Sequence, residues 1–300
     1  MPTPQPGIFA LGTRSHYYLE FDLLSGATAA ALVAAAAGLR EPRQTTGGAN
    51  VVVCFSAATW AAAGGDGPEG CSLFEPIVGD DGFTMPATQH DAWVWISGTG
   101  YDVVFDTARA VVVALEPVAS LATEVGGFSY RASLDLTGFQ DGTANPPVDV
   151  ASLVATVPDG QPGAGGSVVL VQRWVHDLGS FHRLPVAEQE AVIGRTKEHS
   201  EELGEQPERS HLSRVVIEDE RGEELEIFRR STSFGTMAEH GLVFVGFSAD
   251  QARLATMLAR MAGVGGGGRD RLTEFSTPVG GGYYFAPSVQ ALLEQAGPRD

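Results

Sequence analysis

Short runs of apolar or alternating residues mark the strands of this chain. They fall at 16–23 (HYYLEFDL), 48–57 (GANVVVCFSA) and 91–97 (DAWVWIS). Apolar positions at helical spacing predict helices over 26–39 and 101–115. The second half runs through the same order. A strand is predicted at 167–176 (SVVLVQRWVH), a helix at 185–193, short strands at 213–218 and 225–230, a strand at 242–247 and a helix at 249–261. The repetition lies in element order, without sequence self-similarity between the halves. Strands that pair only after long connections predict an α+β chain of two ferredoxin-like domains with antiparallel sheets. The domains are expected to cover 1–130 and 131–300, divided just before Arg131.

The connections are rich in glycine and proline, above all at 158–166 and 263–268. Four consecutive glycines at 265–268 could suggest a phosphate cradle. Neither a following GKS or GKT nor a GxGxxG context accompanies them, so a loop is expected.

Composition narrows the partners. Three hundred residues, 43% of them hydrophobic, suffice for a substantial core. A formal net charge of -18 argues against nucleic acid, which needs a basic surface, and suits neutral or cationic small molecules. Lys197 is the only lysine. Cys54 and Cys71 lack CxxC spacing, so neither a zinc site nor a redox pair is indicated, and Cys54 in VVVCFSA reads as a buried thiol. The N-terminal residues lack the basic and apolar regions of a secretory signal. The most apolar run, 27–39, is too short to span a bilayer. A cytoplasmic protein with no membrane partner is expected.

One stretch stands apart from this regular pattern. Residues 138–147, GFQDGTANPP, make a poor helix and a poor central strand. They read as a structured turn that presents one acid, Asp141, to a cavity. Among seven histidines, His211 lies at the end of an irregular segment (PERSHLSRVVIED), where a scaffold can offer a ligand; His176, followed by Asp177, comes next. Arg229 and Arg230 end the run LEIFRR, and alternation sends only one of them toward the core. A buried arginine must be paired or must meet an anion. The competing reading is a surface pairing with Glu223, Glu224 and Glu226.

GFQDGTANP resembles the GxxDG signature of the dye-decolourising peroxidases, a haem b family. The similarity continues through VQRWVHDL, EQEAVIGRTKEHSEEL, SHLSRV, FRRSTSFG and RDRLTEFSTPVGGGYYFAPS, in the family's order, over roughly 85–288. The class B subgroup, with short loops, is the nearest match. The resemblance implies haem b (iron protoporphyrin IX) bound in the C-terminal domain. His211 would be the proximal ligand of the iron, with Asp270 accepting from its other nitrogen. Asp141 would be the distal proton shuttle, and Arg229 would stabilise developing negative charge. Gly142, Thr143, Ser231 and Arg195 would contact the cofactor, Arg195 at a propionate. Ser231 stands where many class B members have asparagine. Gly280 stands where the family often has threonine, with little functional effect expected.

The implied activity is reduction of hydrogen peroxide, through an oxo-iron intermediate, with oxidation of small one-electron donors such as dyes or phenolics. Trp174, Tyr283 and Tyr284 are candidates for carrying electrons to the haem. A homo-oligomer, dimeric or larger, is also implied. The ending EQAGPRD makes cargo of a protein nanocompartment the less expected role. The alternative function is a haem-binding protein for haem or iron handling or sensing, with incidental peroxidase activity. A third reading, an α+β protein with a degenerate site, is opposed by the joint presence of Asp141, His211 and Arg229.

Overall fold

A computed structural model describes residues 2–39, 48–131 and 133–296, so the final residues of EQAGPRD lie outside it. The first half comprises β1 (Ser15–Leu23), α1 (Ala29–Gly38), β2 (Asn50–Phe55), α2 (Ala57–Ala62), a small hairpin of β3 (Ile77–Val78) and β4 (Thr84–Met85), β5 (Ala92–Gly98), α3 (Tyr101–Leu115) and β6 (Ala119–Phe128). The second comprises α4 (Val148–Ala155), β7 (Ser167–His176), α5 (Leu178–Arg183), α6 (Val186–Ile193), α7 (His211–Val215), β8 (Phe228–Arg229), β9 (Thr232–Gly235), β10 (His240–Ser248), α8 (Gln251–Ala262), β11 (Ser276–Ala286) and α9 (Val289–Gln295).

The strand order is β2-β5-β1-β6 in the first half and β11-β7-β10-β9 in the second, with β8 continuing the β9 edge of β10. The two orders are the same, so the repetition of elements is also a repetition of topology. The sheets do not remain separate, however. β11 meets β2 at Phe285↔Phe55, and β6 meets β9 at Gly127↔Phe234 and Phe128↔Ser233. The result is a closed eight-stranded antiparallel barrel. Closure satisfies edges that two separate sheets would leave unpaired.

Both seams are short, and local chemistry supports each. At the β2/β11 seam the buried side chain of Gln5 acts as a strand residue. Its Nε2 donates to the carbonyls of Val53 (2.7 Å) and Pro287 (3.1 Å), and its Oε1 accepts from Val53 N–H (2.9 Å). At the other seam Gly127 permits a close approach: a Cβ there would lie 2.6 Å from Thr232 Oγ1 and 2.9 Å from the Tyr18 ring.

Alternation divides the strands into two faces. On β1, Tyr17, Leu19 and Phe21 join the outer core with Leu32, Val33 and Ala36 of α1 and Val104, Ala108 and Val111 of α3. Tyr18 points inward to Trp93, Trp95, Phe247 and Tyr284, which fill the barrel. Of the two neighbouring arginines, Arg230 is the inward one. It lies 5.4 Å over the Trp95 ring and donates to the backbone carbonyls of Ile8 and Ala10. Its charge therefore meets carbonyl dipoles and an aromatic face rather than the anion expected for a buried arginine.

Two sequence expectations change. The strand predicted at 213–218 is replaced by the helix α7, because Ser210 Oγ accepts from Ser213 N–H and starts a helical turn ahead of the β-branched residues. The strands β6, β9 and β11 were not anticipated. β11 contains Pro278 and three glycines, a composition of low strand propensity, and pairing with β7 along its length overrides that preference.

The Gln5 bridge yields a test. Gln5→Ala leaves the Val53 N–H and C=O unpaired at the seam, and stability should fall by about 2 kcal/mol. Urea unfolding should show a lower midpoint with an unchanged slope.

Candidate active site

A cavity opens on the outer face of the second half's sheet. β7 contributes Gln172, Trp174 and His176, and β10 contributes Leu242 and Phe244. Helices α7 and α8 close over it with Leu212, Val215, Met257, Leu258 and Met261. The walls are largely apolar. Polar groups enter from several segments that are far apart in the chain.

The first is the turn at 138–147. Its backbone is cross-tied, with Asp141 N–H donating to Ser133 O (3.0 Å) and Asn145 N–H to Gly142 O (3.1 Å). Gly142 adopts φ +76°, a conformation that favours glycine, and its N–H donates to Asp141 Oδ1 at 2.7 Å. Asn145 then ties the turn to β8. Its Oδ1 accepts from Arg229 N–H (2.8 Å) and its Nδ2 donates to Arg229 O (2.9 Å). This two-point contact aligns Asp141 with Arg229, whose Nη1 stands 3.9 Å from Asp141 Oδ1. Burial pushes the Asp141 carboxyl above its usual value. Arg229 opposes that shift, the charge of Asp135 adds to it, and the net direction is upward.

His211 is the first residue of α7, and Ser210 caps the helix just before it. The His211 Nδ1 lies 2.7 Å from Oδ2 of Asp270, which is wholly buried. The other Asp270 oxygen accepts from Leu272 N–H at 2.8 Å, so the carboxylate is held from both sides. An Nδ1–H donating to Asp270 leaves the Nε2 lone pair free. His211 lines the same cavity as Asp141 and Arg229.

The remaining predicted residues are placed less uniformly. Arg195 lines the cavity but is already engaged by Glu202 (2.6 Å) and the Ser200 carbonyl (3.0 Å). Thr143 lies on the cavity wall and is exposed. Gly142 shapes the turn and Ser231 Oγ accepts from Val245 N–H (3.4 Å); neither is among the lining residues. Of the three aromatic candidates, Trp174 lines the cavity, Tyr284 fills the barrel and Tyr283 packs on Phe74.

His176, the second histidine singled out in the sequence, has partners that the sequence did not reveal. His176 Nδ1 bonds Ser276 Oγ (2.8 Å) and its Nε2 lies 3.2 Å from Asp135 Oδ1. Thr137 donates its N–H and hydroxyl to the other Asp135 oxygen. Burial pushes the Asp135 carboxyl up, but the His176 and Thr137 contacts outweigh it and hold the group below the usual range. Asp135 lies in SLDLTGF, where no local signal marks it; only the alternation of Gln172, Trp174 and His176 on β7 hints that His176 shares a face with the site.

The arrangement offers an imidazole nitrogen in an apolar cavity, with an acid and a guanidinium sharing that cavity. This donor set suits a flat, apolar metal macrocycle that needs one axial nitrogen. A family model described as "Dyp-type peroxidase, C-terminal" matches residues 132–291. The dye-decolorizing peroxidase of Rhodococcus erythropolis is 36% identical over 96% of this chain and 88% of its own length. A variant of DypB from Rhodococcus jostii in complex with heme superposes with a TM-score of 0.87 at 34% identity, covering 93% of this chain and 94% of that one. The encapsulated DyP-type peroxidase from Mycobacterium smegmatis gives 0.87 at 32%, covering 97% and 98%. The chain belongs to the Dyp-type peroxidase family.

Asn145 offers a test of how the turn is held. Asn145→Ala removes both bonds to Arg229 and should cost about 2 kcal/mol of stability. Hydrogen exchange should quicken at the amides of Asp141 and Arg229, while those of β1 and β5 stay protected.

Proposed function

We propose that this protein is a class B haem b peroxidase that reduces hydrogen peroxide and oxidises small one-electron donors such as dyes or phenolics. The observation that carries the reading is the His211 imidazole, held by buried Asp270 with Nε2 free, in a cavity shared with the Asp141–Arg229 pair. In this reading the second half, from about residue 131, is a ferredoxin-like haem domain joined to a ferredoxin-like N-terminal domain. The protein works as a cytoplasmic homo-oligomer.

His211 Nε2 would hold the iron, and Asp270 would strengthen its donation by accepting from Nδ1. Arg195, once released from Glu202, and Thr143 would face the cofactor's polar edge, with Gly142 and Ser231 in supporting positions. When bound, haem supplies an iron that accepts peroxide and passes electrons between peroxide and donor. The chain's own groups handle the proton. Ionised Asp141 would take a proton from one peroxide oxygen and return it to the other. The turn and Asn145 hold that carboxylate in place. The Arg229 guanidinium faces the charge that develops as the O–O bond stretches. Apolar walls from α7 and α8 exclude bulk water and strengthen both effects.

The axial-ligand assignment makes a direct prediction. His211→Ala should abolish the histidine-ligated ferric Soret spectrum, and the wild-type spectrum should change within one stopped-flow mixing with hydrogen peroxide. An unchanged spectrum in the variant overturns the ligand; an inert wild type overturns the peroxidase reading.

The charge of Asp141 makes another. The carboxylate must be ionised to accept a proton, and its folded value lies above the ordinary value of about 3.9. The rate of reaction with peroxide should therefore fall as pH drops through that raised value. Arg229→Leu removes the opposing charge and should move this acid limb to higher pH, while Asp141→Asn should abolish it. Peroxide-reaction rates measured against pH check both.

A further inference from the structure

The barrel contains a second cavity, separate from the one described above. It lies at the end where Glu20 of β1, Thr123 of β6 and Arg173 of β7 line its rim, and its volume is about 120 Å³. Its inner wall is aromatic and aliphatic, with Tyr18, Trp93, Val171 and Val243. The opposite end of the barrel is filled by Ile8 and by Ala151 and Ala155 of α4. Glycines on β11 leave the space open: a Cβ at Gly280 would lie 2.9 Å from Thr88 Oγ1, which also lines the cavity.

Two polar side chains, Glu20 and Trp93, line this space. Tyr284 donates its hydroxyl to Glu20 Oε1 at 2.7 Å, and the other carboxylate oxygen has no hydrogen-bond partner among the described residues. The indole N–H of Trp93 is fully buried and has no acceptor there. Buried polar groups are rarely left unmatched. A hydroxyl in this space can donate to the Glu20 carboxylate, which lines it. The remaining wall favours a ring on aromatic faces. The volume is close to the about 150 Å³ of an apolar cavity that takes benzene.

We propose that this end of the barrel binds a small monocyclic phenol, with its hydroxyl on Glu20 and its ring against Trp93 and Tyr18, as an electron donor of the peroxidase reaction. The donor role rests on the peroxidase reading; the binding site does not. Each phenol loses one electron and its hydroxyl proton and leaves as a phenoxyl radical. The proton passes to the Glu20 carboxylate and on to solvent. Two phenols thus supply the two electrons and two protons that convert one hydrogen peroxide to two waters. The rings provide an inward route for the electron. Tyr18 and Trp93 stack with centroids 6.1 Å apart, and Tyr18 and Trp95 at 6.4 Å. The Tyr18 hydroxyl bonds Thr232 at 2.7 Å, three residues beyond Arg229. Burial chiefly raises the pKa of that hydroxyl, and the Asp141 charge adds to the shift, so Tyr18 lies within electrostatic reach of the first cavity.

Phenol itself is the probe. Its binding to the ferric holoenzyme, followed by ligand-observed NMR without peroxide, should be saturable. Gly280→Thr, which fills the cavity beside Thr88 and for that reason departs from the small effect expected of threonine there, should weaken it at least tenfold. Glu20→Gln, which makes no change of volume, should weaken it several-fold and serves if the first variant does not fold. No saturable binding to the wild type, or equal affinity in all three proteins, overturns the site. Because peroxide is absent, an enzyme inert to peroxide leaves this result standing. In turnover, kcat/KM for phenol should fall in step with affinity; an unchanged kcat/KM in a variant that no longer binds phenol overturns the donor role.

Discussion

Closure of the antiparallel ladder into a barrel governs the rest of this molecule. Once the strands form a ring, every side chain on them must point either into the barrel or out toward a helix, and neighbours in sequence take opposite sides. Arg229 and Arg230 illustrate the consequence. They differ by one position, yet Arg230 spans aromatic rings inside the barrel and Arg229 faces the cavity outside it. A slip of one residue in β8 would exchange them and leave Asp141 without its counter-charge.

The ring depends on two weak places. Three register pairs join the halves, one at β2/β11 and two at β6/β9. A glutamine side chain lengthens the first ladder, and a glycine allows the second to close against Tyr18 and Thr232. The same economy appears at the candidate active site. There a single asparagine amide imitates a strand partner and sets the turn against β8. Side-chain amides carry the same donor and acceptor as the backbone, so they can extend pairing where the chain cannot.

The cavity gathers groups of opposed electrostatic character. Asp135 is held below the usual carboxyl range by a histidine and a threonine, while Asp141, a few residues on, is raised by burial despite its arginine. Two acids in one cavity with values pushed apart is the pattern expected where one must stay charged and the other must exchange a proton. His211 and Asp270 are paired differently: a fully buried acid holds the imidazole through Nδ1.

Much of this was legible in the chain before folding. Periodicity located β1, β2, β5, β7, α3 and α8, because those elements carry a dense apolar face and need no distant partner to declare it. The GFQDGTANPP turn was legible because glycine, asparagine and proline restrict the backbone locally. Asp141, His211 and Arg229 stood out by motif, whereas composition alone left His211 little different from His176. Tertiary structure decided what depends on partners far away in sequence. It recruited the glycine-rich β11 into the sheet and joined two halves into one ring. It also assembled Asp135, His176 and Ser276, whose separation along the chain hides their contact. The division follows from reach: a cap, a turn or an amphipathic stripe is decided within a few residues, whereas strand pairing and a cavity's electrostatics exist only once distant segments meet.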